Sequence, residues 1–299
     1  MALLIITTIL WAFSFSLIGE YLAGIVDSYF SVLMRVGLAA LVFLPFLRTR
    51  GQSPRTIVLY MLVGAMQLGI MYLLAFRAYL YLTVSEFLLF TVFTPLYITL
   101  IYDLLSGRKL RWGYLLSAAL AVLGAAIIRY DKVSDHFWTG LLLVQLSNLC
   151  FAIGMVGYKR LMEVRPMPQH NAFAWFYVGA FIVAVAAWFM LGNAQKLPTT
   201  TLQWSVLVWL GVVASGLGYF MWNYGATQVD AGTLGIMNNV HVPAGLLVNL
   251  AIWQEQPHWP SFISGALVIL ASLWVHRRWV APHSGQTADD RRRGSAQSE

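Results

Sequence analysis

Runs of about 18–25 apolar residues recur along the chain, separated by short polar stretches. Coiled as a helix, each run is long enough to cross a hydrocarbon core of roughly 30 Å. The pattern predicts ten spans, at 2–21, 29–47, 57–77, 83–103, 112–129, 137–158, 170–191, 204–226, 232–253 and 260–280. The opening run, MALLIITTILWAFSFSLIGEYL, lacks the basic start of a secretory signal and stays apolar too long before any small-residue cleavage site. It reads as a first span that is retained. The fold class expected is an all-α polytopic membrane protein.

Composition agrees with the pattern. Hydrophobic residues make up 59% of the chain and charged residues only 10%, too few charges to cover a water-soluble surface. The net charge of +7 raises the question of nucleic acid, and the placement of the basic residues answers it. Ten spans put both termini on one side. Fourteen Lys and Arg residues fall on that side: Arg48, Arg50, Arg55, Arg108, Lys109, Arg111, Lys159, Arg160, Arg165, Arg277, Arg278 and Arg291 to Arg293. The other side holds four, Arg77, Arg129, Lys132 and Lys196. Basic residues accumulate on the cytoplasmic face, so both termini are expected inside and no nucleic-acid partner is needed. The polar tail, 281–299, is expected to be a disordered cytoplasmic segment, its arginines solvated or touching anionic lipid. Cys150 is the one cysteine, which excludes an intrachain disulfide.

The chain also echoes itself. Ala78 precedes Pro95 by 17 positions, as Ala226 precedes Pro243, and SAALAVLGA at 117–125 aligns without gaps to GALVILASL at 265–273. WAFS at 11–14 faces FAIG at 151–154. These spacings predict a duplication, with one five-helix repeat over 1–132 and a second over 136–280. Because five is odd, the two halves insert in opposite orientations, the arrangement of many secondary transporters.

The second-span arginine in LMRVGLAALVFLPF (33–46), the stretches TPLYITLIYDLL and VPAGLLVNLAIWQEQ, and the close SGALVILASL occur in an order and spacing that resembles the drug/metabolite transporter superfamily, EamA type. Glu255 stands where that family carries a Glu after its second proline helix, whereas Gly107 stands at the first-half equivalent. The resemblance covers nearly the whole chain. It implies ten helices in two inverted halves, a central cavity near the fourth and ninth helices, and movement of a small organic metabolite across a bacterial inner membrane. Within the family the likeness runs nearest to biotin-uptake members, implying biotin or a similar small carboxylate as substrate. Export of amino acids or related metabolites is the alternative, since direction is invisible in sequence.

Ionisable groups inside a bilayer cost roughly 2.5–3.5 kcal/mol on insertion scales and are functional candidates for that reason. Arg35 lies about two turns into the second span, with Arg77 closing the third and Glu86 opening the fourth at similar depth, so one charged cluster of the three is expected in the outer third. An arginine here can bind a carboxylate through two parallel hydrogen bonds. Arg77 and Glu86 read either as a bridge locking helices or, for Glu86, as an ion-coupling carboxylate. A second polar group comprises Trp222, Asn223 and Tyr224 at the end of the eighth span, and GIMNNVHVPAG at 235–245. Asn238, His241, Gly245 and Asn249, spaced 3, 4 and 4, share one helical face. Asn239 lies four before Pro243, and Thr91 four before Pro95, so each proline strips a carbonyl of its helical donor and kinks its helix. Amide side chains of Asn238 and Asn239, with His241, suit a ureido ring that presents N–H and C=O groups together. Trp11, Trp222 and Tyr224 are candidates to pack on a bicyclic ligand, and all these polar groups have the alternative reading of helix–helix glue. Gln67, Gln145 and Asn148 read as glue, and the small-residue stripe Gly211, Ser215 and Gly218 as packing. The sequence holds no P-loop, HExxH, GxSxG or metal-ligand cluster, so neither an enzyme, a cofactor, a metal nor an ATPase subunit is expected.

Overall fold

A computed structural model describes residues 2–105 and 135–229 without a break, together with scattered positions within 116–127 and 237–274. Most of the predicted fifth and tenth spans, part of the ninth including Asn239, His241 and Pro243, and the tail 281–299 lie outside the described residues. Among the described residues all regular structure is helical.

Seven helices are long and apolar enough to cross a membrane: α1 (Ala2–Tyr21), α2 (Ser28–Phe46), α3 (Pro54–Ala78), α4 (Val84–Leu105), α5 (His136–Val164), α6 (Gln169–Leu191) and α7 (Thr201–Thr227). A shorter apolar helix, α8, covers Ala244–Trp253. The seven occupy seven of the predicted spans, with ends displaced where capping chemistry outweighs hydropathy. α3 starts at Pro54, ahead of its apolar run, because Ser53 Oγ accepts from Thr56 N at 3.2 Å and proline suits the first turn. α5 extends to Val164 because its last charged residues satisfy one another, Arg160 reaching Glu163 at 3.0 Å.

Contacts between helix ends make successive helices antiparallel. At one end the Arg48 N–H donates to Asn171 Oδ1 (3.0 Å), Arg165 Nη1 donates to Thr56 (3.2 Å), and Lys159 Nζ donates to the Ala226 and Val229 carbonyls (3.3 and 3.0 Å). That last contact puts a cation on the negative end of α7. At the opposite end the Asp27 N–H donates to the Lys196 carbonyl at 2.8 Å, and the Asn193 N–H to Asp27 Oδ2 at 3.2 Å.

Two pairs of helices approach closely through small residues. A Cβ on Gly64 of α3 would lie 1.8 Å from the Phe176 carbonyl oxygen of α6, and one on Gly179 of α6 would lie 1.9 Å from the Met61 carbonyl oxygen of α3. In the second pair, α7 meets α2, where Gly211 abuts Leu38 and Gly216 abuts Ala39. α3 and α7 share a further feature: each opens into a π-helical segment, Ala65–Ile70 in α3 and Leu210–Leu217 in α7. Segments of this kind accumulate at functional sites because they rotate the following side chains to a new face.

Candidate substrate cavity

Between the helices lies a narrow cavity of about 80 Å³. Its wall is built by Trp11, Ser14, Phe15 and Ile18 of α1; Arg35 of α2; Met71, Tyr72, Ala75 and Phe76 of α3, with Tyr79 at its C-cap; Phe87, Thr91 and Thr94 of α4; Ser147, Asn148 and Phe151 of α5; Tyr219 of α7; and Asn238. Eight of these eighteen residues are aromatic. Trp11 stands at its centre, 4.6 Å from the Tyr219 ring and 6.4 Å from Phe151, and its Nε1–H donates to the Ala214 carbonyl at 2.9 Å, which fixes the indole plane.

Arg35 is the charge in this wall, and it is 3% exposed. Its Nε donates to Ser215 Oγ at 2.6 Å, and its guanidinium lies 4.2 Å over the Tyr72 ring. Ser215 is held in turn by a 2.9 Å hydrogen bond with the Tyr72 hydroxyl, while Tyr177 OH donates to the Ser215 carbonyl at 2.6 Å. Among the described residues no carboxylate pairs with Arg35. A guanidinium this deep without a counter-ion is expensive, and the aromatic face compensates only in part. The cluster holds the guanidinium by its inner edge, and its described hydrogen bonds leave the two terminal nitrogens to the cavity.

The kink at Pro95 is satisfied by side chains. Proline cannot donate to the Thr91 carbonyl, and Thr94 Oγ1 takes that place at 2.7 Å. One residue earlier, the Phe90 carbonyl accepts from Asn148 Nδ2 at 2.9 Å and Gln145 Nε2 at 3.3 Å. Both amides therefore hold α5 to the kink in α4, as glue does.

The structure gathers some of the residues predicted from sequence and separates others. Arg35, Trp11 and Asn238 line one cavity. Asn238 is 1% exposed, and its Nδ2 has no hydrogen-bond partner. Its helical face continues along α4, with Gly245 against Leu88 and Asn249 Nδ2 donating to Ser85 Oγ at 3.3 Å. Arg77 and Glu86 do not line the cavity. Glu86 accepts from the Thr83 N–H at 2.9 Å in a capping box that starts α4, and the Arg77 guanidinium lies 5.9 Å from the Tyr29 ring. Arg35, Arg77 and Glu86 thus have different settings, with Glu86 buried at the start of α4. Trp222 is fully buried behind Trp11, at 5.1 Å. Tyr224 is 37% exposed beside Phe220. Asn223 exchanges two hydrogen bonds with Gln67, at 3.0 and 3.1 Å, so its amide is occupied.

Sequence reasoning missed three cavity-shaping residues. Ser215 read as packing, yet it holds Arg35, and Tyr72 and Tyr79 carried no signal beyond being aromatic. The Gln67–Asn223 pair supports a prediction of its own. Gln67→Leu or Asn223→Leu strands a buried amide and should lower the thermal midpoint of detergent-solubilised protein, by roughly 0.6–1.7 kcal/mol of stability. The double replacement should recover most of the loss.

Residues 1–130 and 138–277 each match the EamA-like transporter family. The chain belongs to that family. The Escherichia coli (strain K12) member named "Biotin transporter" is 83% identical over 299 residues, covering 100% of both chains. A Pseudomonas aeruginosa member named "Probable biotin transporter" is 55% identical over 279 residues, 93% of this chain and 97% of that one. A solved crystal structure superposes with a TM-score of 0.65 at 17% identity, over 92% of this chain and 95% of its own, which speaks to the fold alone. This EamA-like chain is accordingly a multi-pass membrane protein of a transporter family.

Proposed function

We propose that this chain is a secondary transporter that takes up biotin across a bacterial inner membrane. In this reading two inverted five-helix halves, 1–132 and 136–280, alternate access to the central cavity, and both termini are cytoplasmic. The observation that carries the reading is the buried Arg35 guanidinium, 3% exposed with no carboxylate partner among the described residues, in the wall of an aromatic cavity. An anionic substrate supplies the missing charge. The biotin carboxylate meets the free edge of the guanidinium, the bicyclic ring packs among Trp11, Tyr219 and Phe151, and the ureido carbonyl accepts from Asn238 Nδ2. Each contact answers a polar atom or an apolar surface that the protein leaves open. Biotin is the substrate named for relatives 83% identical over their full length.

Two features support the paired halves. The π-helical segments fall in α3 and α7, which occupy the third predicted span of each half. The close packing of α3 on α6 also mirrors that of α7 on α2, as an exchange of halves requires. The orientation rests on the excess of basic residues at the end that holds Arg48, Lys159 and Arg165.

The reading is tested by expressing the chain in biotin-auxotrophic bacteria that lack their own uptake system. Labelled biotin should enter faster, saturably, and without dependence on an ATPase subunit. Absence of stimulation at every membrane abundance contradicts it.

A further inference from the structure

Among the described residues the buried tyrosines nearly all have a partner for the hydroxyl. Tyr60 donates to the Arg165 carbonyl, Tyr72 shares a hydrogen bond with Ser215, Tyr158 donates to Gln169, and Tyr177 donates to the Ser215 and Gly216 carbonyls. Tyr79 is the exception. It is 7% exposed, it lines the cavity, and its hydroxyl has no hydrogen-bond partner. A buried orphan hydroxyl is destabilising, since the oxygen loses its water and gains nothing in return.

The ring itself is firmly held. It stacks on Phe87 with centroids 4.3 Å apart and planes 15° apart. Tyr79 continues the helical backbone of α3, accepting no kink, and its N–H donates to the Ala75 carbonyl at 3.3 Å. The Arg35 guanidinium stands 5.9 Å from the Phe76 ring. A held phenol and a held guanidinium thus line the same cavity, while Asn238, a further described cavity residue with an unpartnered polar atom, is on a different helix.

We propose that Tyr79 is a specificity residue whose hydroxyl donates to the substrate carboxylate beside Arg35, selecting the free acid over its neutral derivatives. This rests on the biotin reading above. A carboxylate accepts from both groups at once and gains most from each, because hydrogen bonds to an ionised acceptor are the strong ones. An amide offers one neutral acceptor and adds N–H groups that would face a guanidinium with no lone pair to receive them.

The test uses purified full-length protein and equilibrium binding of labelled biotin and of its primary amide, for the natural chain and Tyr79→Phe. Biotin binding should weaken about tenfold, the size of one hydrogen bond to a charged group, while binding of the amide changes less than twofold. Because the replacement keeps the stack on Phe87 and removes an orphan hydroxyl, its thermal midpoint should equal or exceed that of the natural chain. Tyr177→Phe, which loses partnered bonds, should melt lower. Unchanged biotin affinity in Tyr79→Phe, or an equal loss for acid and amide, overturns the assignment of Tyr79 while leaving the biotin reading intact. Failure of the natural chain to bind biotin overturns both.

Discussion

Uptake of biotin should fall more than about 100-fold when Arg35 is replaced by alanine, at unchanged membrane abundance. The size follows from what the side chain supplies. A bidentate, charge-assisted pair contributes roughly 3 kcal/mol or more in a site closed to water, and each 1.4 kcal/mol is a factor of ten. Arg35→Lys should not restore transport. Lysine keeps the charge, but it has no Nε–H to hold at Ser215 and no planar fork to present to a carboxylate. The stability readout separates substrate binding from a structural role. Arg35 is buried without a counter-ion among the described residues, so its removal relieves a desolvated charge, and Ser215 keeps its hydrogen bond with Tyr72. Purified Arg35→Ala should therefore melt no lower than the natural protein. A large drop in its midpoint would assign Arg35 to the fold instead.

The other large effect falls on the packing of α3 against α6. Gly64→Val and Gly179→Val should each reduce membrane abundance to near background, with transport lost alongside. The atoms in the way are backbone carbonyl oxygens, 1.8 and 1.9 Å from the new Cβ, and the two helices must separate to admit it. Overpacking by side chains costs roughly 1–3 kcal/mol where a neighbour can turn aside, and a helix backbone cannot. Gly157→Ala is the matched control, since its nearest neighbour is the end of a side chain, Val63 Cγ2, at 3.2 Å. Abundance of that variant should stay close to normal.

Much of this architecture is legible without coordinates, and for an identifiable reason. A bilayer demands about 20 apolar residues per crossing, so hydropathy alone marks the ends of α1 to α7 to within three residues, except the end of α5. The ends shift where Ser53 caps α3 and where Glu163 pairs with Arg160 at the end of α5, because those effects involve one or two side chains that a window average dilutes. Arg35 stands out in the sequence for the same reason that it matters in the cavity: a charge at that depth is costly. Pro95 likewise announces a freed carbonyl, although not that Thr94 would satisfy it.

Partner identity is what the sequence withholds. Asn223 and Asn238 are alike as letters, yet one is tied to Gln67 and the other presents an unpartnered Nδ2 in the cavity wall. Asn223 finds its partner across the bundle because Gln67 lies inside the π-helical segment of α3, which carries no composition signal of its own. Ser215 looked like one step of a small-residue stripe because its hydroxyl is explained only once Arg35 arrives from another helix. Glu86 is the buried acid that its place in the sequence suggests, and the Thr83 capping box adds a local duty that the letter does not reveal. Tyr79 had no signal at all, since a tyrosine is conspicuous only when its hydroxyl lacks a partner.

The central claim is that the cavity around Arg35 carries biotin by its carboxylate, and counterflow in liposomes addresses it without interference from cellular metabolism. Purified protein is reconstituted into vesicles loaded with unlabelled biotin, and labelled biotin is added outside without ATP. The natural chain should accumulate label transiently above its equilibrium level, excess biotin should compete, biotin amide should compete weakly, and Arg35→Ala vesicles should show no overshoot. Overshoot of equal size with Arg35→Ala, or none with the natural chain, would contradict the account.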